Sequence, residues 1–188
     1  GAVLLYRFDA EGPKLLRPPL TGLGRGNFGA ALAVADADGD GDRDLLVGSP
    51  GGDLAAAGAI NSRGVLDVFL LTPGQPIPDL GTLRLGGADL AVDGTLKASG
   101  GLRFGRSLVV GDFNADGHPD VAWLGAVNNT LLGGVPATRN QIAAAVHFGR
   151  AMTPVFADQP DLYLLPSNPA DGNEGTWRLG LVPAAIVF

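Results

Sequence analysis

A stretch of this chain occurs twice. Residues 27–36, NFGAALAVAD, align with residues 103–112, RFGRSLVVGD, at an offset of 76. The same offset carries Asp38 to Asn114, Asp40 to Asp116, Gly41 to Gly117 and Asp44 to Asp120. Gly48 falls on Leu124, and the matching glycine, Gly125, comes one residue late. Each copy reads Phe-Gly, a short apolar run, a nine-residue acidic loop, a second apolar run and a small-residue turn. A repeat of this length is one supersecondary unit that cannot bury its own faces and must stack on neighbours.

Between and after the copies lie further strand-like runs: 64–71 (GVLDVFLL), 82–85 (TLRL) before Gly86-Gly87, and 142–148 (IAAAVHF). The opening run 2–8 looks like the third strand of a preceding unit, and 14–16 like its fourth. Thirty glycines and fourteen prolines suit short strands joined by many turns, and no segment carries a sustained 3.6-residue period. Two Ala-rich spots, 54–60 and 142–146, also fit short helices. Four short antiparallel strands with an apolar face describe a propeller blade. The expected fold is therefore all-β, with about two complete β-propeller blades plus flanking part-blades, incomplete as given. The expected boundaries are 1–27 for the end of a preceding blade, 28–103 for repeat 1, 104–175 for repeat 2, and 176–188 for the start of a further strand or blade. The absence of an initiating Met at Gly1, and the apolar ending GLVPAAIVF, fit a chain cut from something larger.

The acidic loops carry the chemistry. Loop 1 places Asp36, Asp38, Asp40, Asp42 and Asp44 at positions one, three, five, seven and nine; loop 2 places Asp112, Asn114, Asp116, His118 and Asp120 there. Ca²⁺ takes six to eight oxygens, and alternate residues of a tight loop can aim oxygens inward, with glycine at position six for the bend. Position seven in such loops gives its backbone carbonyl, so Asp42 and His118 can differ. An EF-hand opens the same way but closes with Glu at position twelve. Val47 and Trp123 stand there, so closure falls to Asp44 and Asp120. Mg²⁺ tolerates crowded protein cages poorly, and Zn²⁺ wants Cys or His, of which the chain has none and two. The bland alternative is a pair of solvated Asp/Gly turns. Two loops that match at five positions argue against it, as does the mutual repulsion of carboxylates without a cation.

The segments 28–50 and 104–127 resemble FG-GAP repeats, the blades of integrin α-type propellers and of many bacterial exported proteins. Phe28-Gly29 and Gly48-Ser49-Pro50 carry the motif, with Ser49 for the usual Ala; Phe104-Gly105 keeps its first half and Gly125-Ala126-Val127 replaces its second. The resemblance implies calcium loops that hold the strands of a blade together, on the face opposite the ligand-binding loops.

Other chemistry finds little support. The net charge of −6, concentrated in the two loops, and the lack of a basic aromatic patch argue against nucleic acid. No apolar run reaches the ~18 residues that span a bilayer. His147 sits alone in a strand-like run, and no serine has a nucleophile-elbow context. Trp177 reads as core or interface. The connections 49–63 and 126–141 exceed hairpin length and are the candidate binding loops; the second holds the triplet Asn128-Asn129-Thr130. The expected function is a calcium-stabilised extracellular, cell-surface or periplasmic scaffold, not an enzyme. It would bind a protein, further blades of a larger chain or a carbohydrate. One alternative is a structural accessory subunit of an assembly; another is a non-catalytic part of a carbohydrate- or lipid-active enzyme.

Overall fold

The computed structural model describes residues 1–22, 26–52, 64–86, 103–127, 141–151, 155–158, 160–166 and 177–181. Among them there are strands and turns and no helix. Four strands form the first full sheet in the order β5-β6-β7-β8: β5 (Ala31–Ala35), β6 (Asp44–Ser49), β7 (Val65–Phe69) and β8 (Leu83–Gly86). All neighbours are antiparallel. The second sheet has five antiparallel strands in chain order: β9 (Ser107–Gly111), β10 (Asp120–Val127), β11 (Gln141–His147), β12 (Leu162–Pro166) and β13 (Trp177–Leu181). The repeat read from the sequence is therefore a blade-like meander, and β13 is an added outer strand on the second sheet. The Ala-rich run 142–146 is strand, because β10 on one side and β12 on the other supply ladder partners that an isolated helix would lack. The run 54–60 lies outside the described residues.

Before the first full sheet stand two short pairs. β1 (Ala2–Val3) pairs with β4 (Leu20–Thr21), and β2 (Tyr6–Asp9) pairs with β3 (Gly12–Leu15). The run 2–8, read as one strand, is thus split at Leu4-Leu5. These pairs match the outer half of the next unit closely. Val3 opposite Leu20 repeats Leu66 opposite Leu85, and all four side chains are buried. Gly1 lies against the Phe28 carbonyl as Gly64 lies against that of Phe104.

Two cores result. One lies between the two full sheets, where β5 and β9 run side by side. It holds Leu46, Leu66, Val68 and Leu85 from the first sheet and Val121, Trp123 and Ala145 from the second, with Phe104 between. Phe104 and Trp123 meet with ring centroids 5.5 Å apart. The other core lies on the opposite face of the first sheet: Leu45, Val47 and Phe69 pack on Val3, Leu20 and Phe28. Alternation along β6 sends Leu46 one way and Leu45 and Val47 the other, so both faces are apolar and the strand reads as a continuous hydrophobic run.

The Phe-Gly turns lock the units together. Gly29 and Ala30 donate to the Gly48 carbonyl (3.1 Å each), and Gly105 and Arg106 donate to that of Leu124 (3.0 and 3.4 Å). Both glycines have positive φ, +84° and +96°, preceded two residues earlier by Asn27 (56°) and Arg103 (49°), also left-handed. Gly48 faces the Gly105 carbonyl so closely that a Cβ there would overlap it.

Candidate metal loops

Each acidic loop links the first and second strands of its sheet. The aspartates at positions one and nine are fixed by the strands they border, β5 and β6 in loop 1 and β9 and β10 in loop 2. Asp and Gly between them favour turns over a continued ladder. Gly39 and Gly41 take φ of 75° and 93°; in loop 2 the same places are Ala115 (60°) and Gly117 (88°).

The hydrogen bonds repeat with the sequence. Gly41 N–H donates to Asp36 Oδ2, as Gly117 N–H does to Asp112 Oδ2, both at 3.0 Å. Asp42 N–H donates to Asp40 Oδ1, as His118 N–H does to Asp116 Oδ1, both at 2.8 Å. Asp40 N–H reaches Asp38 Oδ1 at 3.2 Å, and Asp116 N–H reaches Asn114 Oδ1 at 3.0 Å. These bonds curl the backbone so that positions one, three and five converge.

Position nine is different. Asp44 is 1% exposed and Asp120 0%. One Asp44 oxygen accepts Ala37 N–H (2.7 Å) and the other accepts Leu71 N–H (2.8 Å). Asp120 accepts Phe113 N–H (2.6 Å) and Gly149 N–H (2.8 Å) in the same way. Each carboxylate thereby ties the start of its loop to the segment just beyond the third strand. The sequence offered these residues as ligands closing a cage; their role as acceptors of two amides left no mark in residue type or spacing. Burial raises both carboxyls above the usual range, and the amide donors offset part of the rise.

In loop 1, carboxylate oxygens of Asp36, Asp38 and Asp40 all lie within 4.8 Å of one another. Two oxygens on one Ca²⁺ at about 2.4 Å each can be no farther apart than about this. Asp36 Oδ1 is shielded from solvent and has no hydrogen-bond partner, the state expected of a ligand atom aimed at a cation. Asp42 is raised above its ordinary value by lost hydration and then by the charges of Asp40, Asp36 and Asp38. The triad can hold an ion, and its all-oxygen donor set fits a hard one. Loop 2 is less charged: Asn114 replaces a carboxylate, and its amide donates to Asp116 Oδ2 at 2.9 Å. Asp116 is lowered, chiefly by the His118 N–H.

The FG-GAP repeat family model matches residues 28–67 and 104–127. The chain carries FG-GAP repeats. Both matches begin at the Phe-Gly turns described above, and together they include both acidic loops. The FG-GAP repeat is a scaffold unit of β-propeller type. No curated protein matches the chain in sequence.

The remaining candidates lie outside the acidic loops. His147 lies in the core between the sheets, wholly buried, with Nδ1 3.0 Å from the Ala157 carbonyl and its ring between Trp123 and Phe156. Burial lowers its pKa to about 4, so it is neutral and remote from any dissolved substrate. The run AAAVHF gave no sign of this; the covering residues Val155 and Phe156 come from the following connection. Asp67, buried on β7, is held by Arg84 Nε from β8 at 2.5 Å. The binding-loop stretches 53–63 and 128–140, with the Asn128 triplet, lie outside the described residues. Among the described residues, no helix is long and apolar enough to cross a membrane.

Proposed function

We propose that the chain is a calcium-stabilised propeller scaffold that binds a macromolecular partner through its surface loops and performs no chemistry of its own. The ligands are the oxygens of Asp36, Asp38, Asp40 and Asp44 with the Asp42 carbonyl, and of Asp112, Asn114, Asp116 and Asp120 with the His118 carbonyl. The observation that carries this reading is the duplicated loop: the same hydrogen bonds recur 76 residues apart, around carboxylates that repel one another without a cation. Bound calcium supplies positive charge and nothing else. Extracellular calcium modules fill at about 10⁻⁴–10⁻³ M calcium, a level found outside cells and not in the cytosol, which favours an extracellular, cell-surface or periplasmic setting. The units run from 28 to 103 and from 104 to 175, after a part-blade at 1–27. Elemental analysis of purified protein and thermal unfolding in calcium, magnesium and EGTA test this. Two equivalents of calcium and a melting temperature raised by calcium alone are expected. A melting curve indifferent to all three removes the metal.

A second reading, a structural subunit of a larger assembly, is favoured by one feature. Tyr6, Phe8 and Leu15 on the β2–β3 pair, and Leu32 and Val34 on β5, are large apolar side chains 47–77% exposed.

A further inference from the structure

We infer that the two acidic loops do not fill together: loop 1 is the tight calcium site, and loop 2, closed on itself, is a weaker one that fills at higher calcium. The inference rests on the calcium reading above and ranks its two sites. The duplication supplies the comparison, because the two loops share their backbone curl and differ in what occupies their carboxylate oxygens.

Position one shows the difference. In both loops its Oδ2 accepts the glycine amide of position six. In loop 2 the other oxygen, Asp112 Oδ1, also has a donor, Asp116 N–H at 3.1 Å. In loop 1 Asp36 Oδ1 has none and is shielded from water. Position three adds to it. Asp38 brings a carboxylate oxygen to within 4.8 Å of those of Asp36 and Asp40. Asn114 brings no charge, and its amide donates to Asp116 Oδ2 at 2.9 Å, while Asp116 Oδ1 holds the His118 N–H. Both oxygens of Asp112 and both of Asp116 are thus engaged inside the loop. The Asn114 amide sets the positive end of a dipole among oxygens that a cation would otherwise draw together. A calcium ion entering loop 2 must break the Asn114–Asp116 bond and meets three aspartates where loop 1 offers five. Ligand charge count and site rigidity set the affinity of calcium loops.

The surroundings differ in the same sense. Leu71 and Gly149 are equivalent, since each gives its amide to the aspartate at position nine. Gly149 lies so close to the Pro119 carbonyl that a Cβ there would overlap it, and the His118 Cβ is 3.1 Å from the same point. Loop 2 is thereby wedged against the segment beyond the third strand. In loop 1, Asp42, Arg43 and Leu71 line a cleft, which leaves that loop room to draw in around an ion.

The test adds calcium to the calcium-free full chain and follows it by proton–nitrogen correlation NMR. The backbone amides of Gly41 and Gly117 report the two loops, and the Asn114 side-chain amide reports the bond that must break. Gly41 should complete its shift first. Gly117 and the Asn114 side chain should move together at calcium concentrations at least about tenfold higher. Asn114→Asp removes the amide donor and adds a charge, and should lower the Gly117 midpoint at least about fivefold. Asp38→Asn should raise the Gly41 midpoint by a similar factor and leave that of Gly117 within about twofold. The wild-type midpoints decide the ranking even where a variant fails to fold. Coincident midpoints, or Gly117 moving first, overturn the inference and leave the calcium reading standing. So does an Asn114 side-chain signal that stays fixed while Gly117 shifts, since loop 2 is then not closed by that bond. No shift at either loop overturns the calcium reading and the ranking with it.

Discussion

Asp44 and Asp38 stand six residues apart in one loop, yet only the removal of Asp44 should register without calcium. The Asp44 carboxylate holds two amides. That of Ala37 is buried, so Asp44→Ala leaves it unpaired at about 1–3 kcal/mol. That of Leu71 is part-buried and can recover water, so its loss costs about 1 kcal/mol. Removing a desolvated charge returns some of this, since burial already raises the Asp44 carboxyl. The net expectation is about 2–3 kcal/mol lost, present even in EGTA. Asp38 accepts only an exposed amide at 3.2 Å, so Asp38→Ala in EGTA should cost under about 0.5 kcal/mol. In calcium at about a hundred times the dissociation constant, wild type gains roughly 2.7 kcal/mol per site, and Asp38→Ala forfeits the gain of its loop. Urea unfolding of three proteins in two buffers measures all of this. Equal stability of Asp44→Ala and wild type in EGTA would refute the amide-clamp reasoning. An Asp38→Ala protein that gains as much from calcium as wild type would refute the ligand assignment.

Other perturbations test other joints. Ala115 occupies the left-handed place that Gly39 fills in loop 1, so Ala115→Gly should stabilise by about 0.5–1 kcal/mol and Gly39→Ala should destabilise by about 1 kcal/mol, read by urea midpoint. Gly48→Ala puts a methyl into the Gly105 carbonyl, backbone against backbone, and should cost more than about 2 kcal/mol by thermal denaturation. His147 is held neutral with its pKa lowered to about 4, whereas the unfolded chain takes a proton near the ordinary 6.5. Its share of stability is therefore complete above pH 6.5 and is lost as pH falls toward 4, by about 3 kcal/mol in all. His147→Gln, unable to take up that proton, should flatten the slope of stability against pH across this window.

Much of this architecture was legible before any coordinates. The offset of 76 located β5, β6, β9 and β10, because strand, loop and strand alternate with residue types that suit each. The acidic loops announced their shape because glycine at position six and alternating oxygens leave few other conformations. The same residue type hid a division of labour: Asp36 and Asp44 look alike in sequence, but one oxygen of the first is orphaned while both oxygens of the second hold amides. That difference depends on where the third strand ends, which is a matter of tertiary register. The Ala-rich run of β11 was ambiguous for a related reason. Alanine's own preference is helical, and the neighbours β10 and β12 override it. The burial of His147 is set by Val155 and Phe156, which follow it by 8 and 9 residues with no periodic signal.

The paired glycine contacts have an implication for how such a chain grows. Thr21 and Gly86 end equivalent strands, opposite Ala2 and Val65. Seven steps of chain lead from the first to Phe28, and eighteen from the second to Phe104. Both routes deliver a phenylalanine to the same seat, against Gly1 in one case and Gly64 in the other. In both cases the seat is glycine backbone set against the backbone of the phenylalanine. Two tethers of different length thus end at one kind of backbone seat, so the register of one unit on the next is set at Gly1 and Gly64 and not by a fixed spacing along the chain.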